Sequence, residues 1–370
     1  MKTILHLTQA AGGVEVYLDL LLKNSNKKKY RNILVASSNY SAEACKDLAD
    51  EFITFEIARS INPITALNEL RLFRKILKEK NPDILYCHST FAGFIGRLVA
   101  IGTKVKVIYN PHGWSFNMKV NLIQRLVFTA IERFLAHFTD KIICISDFEK
   151  KSALKFHIAP EQKMVTIFNG VDTKGIEEKT KVARKIDGVP EDAYVVGMIG
   201  RISSQKAPDT FVNMAALIKK AIPNAFFIIV GDGRLREQIQ QQIDSLNLTN
   251  SFLITGWIKD TQTYLSRFNV GVLLSRWEGF GLAAVEYMAA KKPIVCTYAD
   301  ALPDLVENNN NGLLVKIDDY KAAADAVIKI YKDKTLSDKL AENAYTTAQN
   351  RFDISRVLIE TDKLITEICS

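Results

Sequence analysis

Residues 270–290 read VGVLLSRWEGFGLAAVEYMAA, and this stretch decides the fold of the second half of the chain. The apolar run Val270–Ser275 predicts a buried strand, and a Gly-Phe-Gly turn separates it from a segment of helical character. Gly279 and Gly281 allow the backbone to turn tightly and to approach a ligand closely. A strand that passes through glycines into a helix is typical of phosphate binding, because the first amide groups of the helix have no intrahelical partners.

Two carboxylates flank this turn. Glu278 lies on the strand side, and Glu286 lies about one turn into the predicted helix. The positive end of the helix dipole favours an anion such as a diphosphate at the turn. A ligand held there would place its ribose hydroxyls within reach of Glu286 and a sugar ring within reach of Glu278.

These residues resemble glycosyltransferase family 4, a group of retaining, nucleotide-sugar-dependent enzymes with the GT-B fold. The family carries the E-x₇-E pair, then a Met-Ala pair and a Pro-led strand, which read here as Glu278, Glu286, Met288-Ala289 and Pro293–Val295. Two glutamates on the solvated face of a helix are the alternative interpretation, and the strand and glycines before them argue against it. The resemblance covers most of the chain and is most specific over residues 169–315.

Composition is that of a globular protein. The chain has 370 residues, 48% of them hydrophobic and 24% charged, which is enough for two domains with separate cores. We expect no transmembrane segment, and we expect the N-terminal stretch to form a strand and a glycine turn rather than a signal peptide. The five scattered cysteines contain no C-x-x-C pair, which favours a cytoplasmic protein without disulfides or zinc; they are Cys45, Cys87, Cys144, Cys296 and Cys369.

The excess of positive over negative charge is confined to the first half. Residues 1–180 contain 26 Lys and Arg against 18 Asp and Glu, whereas residues 181–370 contain 23 of each. A basic half can bind nucleic acid, but the sequence contains no nucleic-acid-binding motif. We therefore expect no nucleic acid partner, and favour an anionic membrane surface or a phosphate-bearing acceptor.

Strands alternate with helices throughout, which predicts parallel sheets covered by helices on both faces. The expected fold is α/β of the GT-B type: two Rossmann-like, doubly wound domains facing a cleft. We predict an acceptor-binding domain at residues 1–175 and a donor-binding domain at residues 176–350. In the resembled family the final helix, here residues 351–370, crosses back onto the first domain. The polar segment Asp172–Pro190 is predicted to be an irregular linker.

The resemblance implies further donor contacts after the strands of the second domain. Gly200-Arg201 and Lys206 match the family's G-R-x-x-x-x-K element, whose cations offset the charge of the leaving diphosphate in place of a metal ion. Two surface cations on a loop are the alternative. Gly231 and Gly233 suit a turn near the nucleotide, although such turns are common.

Donor contacts are also predicted at two other turns. Family members contact the base near Trp257 and Ile258, although Trp257 also suits a packing role. At the turn after residues 270–275, the backbone of Phe280, Gly281 and Leu282 is expected to bind the diphosphate.

Candidate residues of the first domain follow its strands. Gly12 and Gly13 suit a loop that contacts a phosphate or the acceptor sugar, or an ordinary turn. His112, in the stretch NPHGWSF, is expected to contact the transferred sugar, as the matching histidine of the family does. The other histidines carry weaker arguments, and His88, at the end of a strand, is the best placed of them.

Two segments bear on membrane binding. The predicted helix Ile64–Lys80 combines an apolar side with Arg71, Arg74, Lys75 and Lys78, which suits docking on an anionic membrane or an ordinary helix with a solvated face. The second segment is Trp114–Arg133. It includes three apolar residues with no evident core role, which could bind a lipid-linked acceptor or form a lid: Trp114, Phe116 and Met118.

The predicted function is the transfer of a hexose or N-acetylhexosamine from a UDP-sugar to an acceptor hydroxyl, with no metal and no other cofactor. The acceptor is expected to be a lipid-linked or cell-surface glycan precursor, with the enzyme in the cytoplasm or peripheral at the inner face of the plasma membrane. A nucleotide-sugar epimerase of the same fold and a catalytically silent partner of a glycan-assembly complex are the alternatives. The chain departs from the family at Lys291-Lys292 and at Asp300-Ala301, where relatives usually carry glycines.

Overall fold

The computed structural model describes residues 1–9, 12–38, 40, 47–57 and 63–369, with the backbone alone at residues 63, 64 and 66. The chain divides into two compact units: Met1–Asn169 with Ile354–Ser370, and Gly170–Asp353. The predicted boundaries were 175 and 350. Cys45 lies outside the described residues, and the other four cysteines are free thiols.

Each unit is built on a parallel sheet. The strands of the first unit are β1 (Lys2–Thr8), β2 (Tyr30–Ala36), β3 (Glu51–Thr54), β4 (Ile84–His88), β5 (Lys106–Asn110), β6 (Lys141–Cys144) and β7 (Met164–Thr166). Those of the second are β8 (Tyr194–Ile199), β9 (Ala225–Val230), β10 (Phe252–Ile254), β11 (Val270–Leu273), β12 (Ile294–Thr297) and β13 (Leu313–Val315).

Helices connect the strands. The first five are α1 (Gly13–Lys23), α2 (Pro63–Lys80), α3 (Thr90–Ala100), α4 (Leu122–Ala136) and α5 (Asp147–Lys155). The second unit contains α6 (Thr173–Thr180), α7 (Pro208–Ala221), α8 (Arg236–Ser245), α9 (Thr261–Arg267), α10 (Leu282–Ala289), α11 (Leu302–Leu305), α12 (Tyr320–Lys332) and α13 (Lys334–Arg351). The last helix is α14 (Ile354–Cys369), which belongs to the first unit.

The strand order is that of a doubly wound sheet in both units. In the described part of the chain it is β3-β2-β1-β4-β5-β6-β7 in the first unit and β10-β9-β8-β11-β12-β13 in the second. The order reverses direction between β1 and β4, and again between β8 and β11. Sheets of this kind bind ligands outside the carboxyl ends of the strands, near the point of reversal. The loops that follow the strands are therefore where a site is expected.

The apolar runs of the sequence form the cores. Strand β9 is buried along its whole length, as a strand covered by helices on both faces must be. Helix α14 places Val357, Leu364 and Ile365 in the same core of the first unit as Leu18 of α1.

Two predictions about local structure are wrong. Segment Asp172–Pro190 is not irregular throughout, because it opens with α6, where Asp172 Oδ1 accepts a hydrogen bond of 2.9 Å from Gly175 N. Trp114 and Phe116 do have a core role: each is 1% exposed, and their rings stack 5.2 Å apart. The Trp114 indole also donates to the Glu149 carbonyl at 3.1 Å, so these two residues cannot meet a lipid.

Candidate active site

The predicted donor residues of the second unit all lie in loops at the carboxyl ends of its strands or at the start of the next helix. Arg201 and Lys206 follow β8, and Trp257 follows β10. Glu278 follows β11, and Glu286 lies in the first turns of α10. In a parallel sheet these ends share one edge, so one loop cluster carries the whole set.

Lys206 and Glu278 form an ion pair. Lys206 Nζ lies 2.7 Å from Glu278 Oε2, and the two side chains are only 15% and 10% exposed. At such low exposure the pair is weakly screened by solvent, and each charge depends on the other for compensation. The pair therefore holds an ammonium group at the turn that the sequence assigns to a diphosphate.

Arg276 joins the loop that carries Lys206 to the loop that carries Glu278. Its Nη1 donates to Ser204 O at 2.9 Å, and its Nη2 lies 2.6 Å from Asp209 Oδ2. Its backbone N donates to Gln205 O at 2.8 Å. Sequence reasoning did not identify Arg276, because its partners lie on segments far apart in the chain.

Asp300 supports Glu278 from the loop after β12. Glu278 N donates to Asp300 Oδ2 at 3.0 Å, and Ala301 N donates to Glu278 O at 3.2 Å. Asp300 has a φ of +44°, a left-handed conformation that glycine adopts without cost and that Asp tolerates better than most residues. This departure from the family pattern therefore retains the backbone conformation of a glycine and adds an acceptor for the amide of Glu278. Burial raises the pKa of the Asp300 carboxyl.

The Gly-Phe-Gly turn presents backbone rather than side chains. Gly281 precedes α10 with a φ of +105°, and a Cβ there would lie 2.7 Å from Leu302 Cδ2. The Phe280 ring is buried and meets Phe352 edge to face at 5.8 Å. No side chain caps the helix at Gly281. The amide groups at the start of α10, beginning with that of the partly exposed Leu282, are therefore the part of this turn that can bind an anion.

Glu286 is partly exposed on α10. Burial raises the pKa of its carboxyl to about 7, and the nearby Lys206 opposes this rise. The carboxyl therefore titrates near neutral pH, so its capacity to accept hydrogen bonds from hydroxyl groups depends on pH there.

Gly231 and Gly233 allow two loops to pack backbone against backbone. A Cβ at Gly231 would lie 2.1 Å from Gly200 O, and one at Gly233 would lie 2.3 Å from Ile202 O. Their evident role is thus to seat the loop that carries Arg201. Arg201 itself is exposed and forms no ion pair with any residue that the structure describes.

Trp257 does not pack into a core. Its side chain is 67% exposed after Gly256, which has a φ of +75°, and Ile258 is partly exposed beside it. The packing alternative for Trp257 therefore has no support here, and the indole face is available for stacking.

The candidates of the first unit follow β1 and β5. Gly12, with a φ of +67°, and Gly13 are both exposed at the start of α1. His112 has a φ of +51°, and its N donates to Asn110 Oδ1 at 2.9 Å, which fixes the turn. His112 and His88 are hydrogen-bonded, with His88 Nδ1 and His112 Nε2 3.1 Å apart.

Neither unit offers a recognisable cation site in its described residues, where no group of three or more His, Cys, Asp or Glu side chains is placed to hold a metal ion. The cations that the sequence assigns to the diphosphate are Arg201 and Lys206. Metal independence remains a prediction.

Comparison with known proteins extends the likeness to both units. The UDP-Gal:alpha-D-GlcNAc-diphosphoundecaprenol alpha-1,3-galactosyltransferase of Escherichia coli is 29% identical over 330 residues, covering 87% of this chain and 85% of that enzyme. The crystal structure of Anabaena HepE in complex with UDP has a TM-score of 0.84 at 20% identity, covering 99% of this chain and 100% of that one. Sucrose-phosphate synthase from Thermosynechococcus elongatus has a TM-score of 0.82 at 19% identity, covering 100% and 99%.

Two family models match the chain in succession. Residues 11–174 match the model described as Glycosyltransferase Family 4, and residues 179–347 match the model described as Glycosyl transferases group 1. Both units thus carry a glycosyltransferase signature on two Rossmann-like sheets, which is the GT-B fold. The chain belongs to the glycosyltransferases of family 4.

Proposed function

We propose that this glycosyltransferase transfers a hexose or N-acetylhexosamine from a UDP-sugar to an acceptor hydroxyl, with retention of configuration and without a metal ion. The observation that carries the proposal is the Lys206–Glu278 ion pair, 2.7 Å long, in the loop cluster that also holds Glu286 and the start of α10. This set supplies a cation, backbone amides and a hydroxyl-binding carboxyl, which are the groups that a nucleoside diphosphate sugar requires.

The leaving diphosphate is the group that most needs stabilisation, because negative charge grows on it as the glycosidic bond breaks. Lys206 and Arg201 supply positive charge, and the amides around residues 280–282 donate hydrogen bonds along the axis of α10. Fixed donors aimed at a developing charge are typically among the largest contributors to catalysis. The buried Phe280 side chain takes no part, so the contribution of this turn comes from its backbone.

The nucleoside is assigned to Glu286 and to the loop after β10. Glu286 would accept hydrogen bonds from both ribose hydroxyls, and Trp257 and Ile258 would contact the base. Uridine is preferred because HepE has been solved with UDP and with UDP-glucose, and because the Escherichia coli relative is named for UDP-Gal.

Sugar transfer is assigned to a front-face reaction, in which the acceptor attacks on the side from which the diphosphate departs. Glu278 would orient the donor sugar and stabilise the positive charge that develops at its anomeric carbon. The departing phosphate would take the proton of the acceptor hydroxyl. In the first unit, His112 would contact the sugar, and Gly12 and Gly13 would bound the acceptor.

The acceptor is proposed to be a lipid-linked or cell-surface glycan precursor, handled at the cytoplasmic face of a membrane. All of the net positive charge lies in the first unit, which has 26 Lys and Arg against 18 Asp and Glu. That unit also exposes an apolar face on α4, made by Leu122, Ile123, Leu126, Val127 and Phe134. Among the described residues, we find no helix with the length and hydropathy of a membrane-spanning segment. We propose that the contact with the membrane is peripheral.

Helix α2 exposes charge together with two apolar side chains, Leu67 and Leu72, which are 48% and 53% exposed. Phe73 and Leu77 pack into the core, whereas Arg71, Arg74, Lys75 and Lys78 are exposed. We propose that α4 supplies most of the apolar contact with the membrane and that α2 supplies attraction to anionic lipid.

Thermal stabilisation by UDP, GDP and ADP in EDTA, on the wild type and on Glu286→Ala, tests the donor site. A ligand that binds only the folded protein raises its stability with ln(1 + [L]/Kd). We expect a shift with UDP that the variant loses. A shift with GDP or ADP alone would overturn the uridine assignment. Turnover measured with and without acceptor then separates transfer from epimerisation, which needs no acceptor.

A further inference from the structure

Three histidines of the first unit form a continuous hydrogen-bonded chain. His6 Nδ1 lies 3.2 Å from His88 Nε2, and His88 Nδ1 lies 3.1 Å from His112 Nε2. The inner end of the chain is Asn32, whose Oδ1 lies 3.2 Å from His6 Nε2. Strands β2, β1, β4 and β5 are consecutive neighbours in the sheet, so the chain runs across them from Asn32 to the loop that carries His112.

The three rings are neutral at physiological pH. His6 and His88 are 2% and 0% exposed. Burial lowers the pKa of His6 to about 4 and that of His112 to about 3, and it lowers the pKa of His88 well below its usual value. The rings that face them are those of Tyr17 and Tyr86, 4.8 Å from His112 and 4.1 Å from His88, and burial raises the pKa of both phenols. No charged group therefore perturbs the chain from these positions.

In a hydrogen-bonded chain of neutral imidazoles, every ring donates its hydrogen bond in the same direction along the chain. Each ring carries one N–H donor and one acceptor nitrogen, so the choice made at one end fixes every ring. The amide of Asn32 donates from Nδ2 to Ser25 Oγ at 2.9 Å, which leaves Oδ1 to accept from His6. His6 then donates from Nε2, so its Nδ1 accepts from His88 Nε2, and His88 Nδ1 accepts from His112 Nε2.

We propose that Asn32 sets the tautomer of His112 through His6 and His88, so that His112 carries its proton on Nε2 and presents Nδ1 as a hydrogen-bond acceptor. Nδ1 forms no hydrogen bond with any residue in the described ranges, and His112 is partly exposed. Asn32, His6 and His88 are thus positioning residues.

The inference rests on the proposed function, in which His112 contacts the sugar, and it specifies which kind of chemical group His112 contacts. An unprotonated ring nitrogen accepts from a sugar hydroxyl, and it offers no donor to a phosphate or a carboxylate. The substrate group at His112 is therefore a hydroxyl. A donor tautomer at this position would instead suit an anionic group.

Nitrogen-15 NMR of the full-length chain tests the tautomers directly, without any substrate. Of the five histidines, His137 and His157 are exposed, and His137→Gln/His157→Gln leaves only the three rings of the chain. We expect all three to be neutral at pH 7 with the proton on Nε2. A His112 signal with the proton on Nδ1, or with both nitrogens protonated, would overturn the proposal. The Nδ1 result is what a reversed chain, with the Asn32 amide turned over, would give.

A pair of variants tests the effect on transfer. Asn32→Leu removes the terminal acceptor, and Asn32→Asp keeps an acceptor at the same place. We expect the leucine variant to show mixed tautomers of the histidines and a fall in kcat of roughly tenfold. A fall of this size corresponds to the loss of about one hydrogen bond. The aspartate variant should keep the Nε2-protonated form at His112 and recover kcat, and both should bind UDP as the wild type does.

The two proposals fail in different ways. Loss of UDP binding in the wild type would contradict the donor site and leave the tautomer result intact. Mixed tautomers in Asn32→Leu with an unchanged kcat would overturn the role of the chain in transfer. If the leucine variant does not fold, the wild-type spectrum still decides the tautomer of His112.

Discussion

Lys206 Nζ lies 2.7 Å from Glu278 Oε2, although the two residues are 72 positions apart in the sequence. Because both side chains are largely buried, neither charge is well compensated without the other. We expect Lys206→Met to lower the free energy of unfolding by about 1–3 kcal/mol, and to lower kcat by about 100-fold through loss of a phosphate contact. Urea denaturation and initial rates of transfer measure the two effects.

Lys220→Met is the matched control for that variant, since Lys220 is an exposed lysine of the same unit, on α7. It should leave both quantities within error of the wild type. The double variant Lys206→Met/Glu278→Gln should regain part of the lost stability, because no uncompensated charge remains. A Lys206→Met enzyme with wild-type kcat would remove Lys206 from the phosphate site.

The affinity for UDP should depend on the ionisation of Glu286. Burial raises the pKa of this carboxyl to about 7, and the ribose hydroxyls need its charged form as an acceptor. Affinity should therefore rise as the pH increases through 7, and should fall by up to about tenfold per pH unit below it. Calorimetric titration at pH 6, 7 and 8 measures the trend. Glu286→Gln, titrated at the same pH values, shows the part that comes from the nucleotide phosphate, and an equal slope in both proteins would exclude Glu286 as the cause.

Replacement of Gly231 should lower the free energy of unfolding by more than backbone strain alone accounts for. Gly231 and Gly188 both have positive φ values, +147° and +79°, but a Cβ at Gly231 would lie 2.1 Å from Gly200 O whereas one at Gly188 meets nothing within 4 Å. Gly188→Ala should destabilise the protein by about 1 kcal/mol, and Gly231→Ala by about 3 kcal/mol or more. Only Gly231→Ala should also weaken UDP binding, because it displaces the loop of Arg201. Equal losses of stability in the two variants would show that the loops can separate without cost.

Acidic substitutions on α4 should abolish membrane binding. Leu122 and Leu126 are 69% and 61% exposed, and burial of such side chains in the interface drives association. We expect Leu122→Asp/Leu126→Asp to remain in the supernatant when vesicles rich in anionic lipid are sedimented, and the wild type to pellet with them. Val182→Asp/Leu246→Asp adds the same charge to exposed apolar positions of the second unit and should pellet normally. Equal sedimentation of both double variants would contradict a role for α4.

A separate variant tests how much the charges of α2 contribute to membrane binding. Replacement of Arg71, Arg74, Lys75 and Lys78 by glutamine should weaken sedimentation, most clearly at low salt, where attraction to anionic lipid is least screened. Unchanged sedimentation at low salt would exclude α2 from the interface.

The sequence predicted much of the framework because apolar strands and glycine turns are local signals. The strand from Val270 and the turn at Gly281 were both foreseen in this way, and Trp114 was misjudged because a loop position does not reveal burial. The hydrogen bond from the Glu278 amide to Asp300 was not predicted, because the spacing of apolar residues does not indicate which strand ends are neighbours in the sheet.

The histidine chain shows the same limit. His6 and His88 are diagonal neighbours because β1 and β4 pair in parallel, with His6 opposite Tyr86 and Thr8 opposite His88 in the register. Both residues are present in the sequence as isolated histidines within apolar strands. Their meeting depends on strand order and on register, which are properties of the assembled sheet.

The place of α14 has a consequence for how the protein is made. The first unit is assembled from both ends of the chain, and the core that holds Leu18 also needs Val357, Leu364 and Ile365. Residues 170–353, by contrast, form a continuous stretch with its own core. As the chain leaves the ribosome, the second unit can finish folding while the first still exposes apolar surface. The usual order of folding during synthesis, in which the more N-terminal domain folds first, would then be reversed, because the first unit is completed by a helix that follows the second.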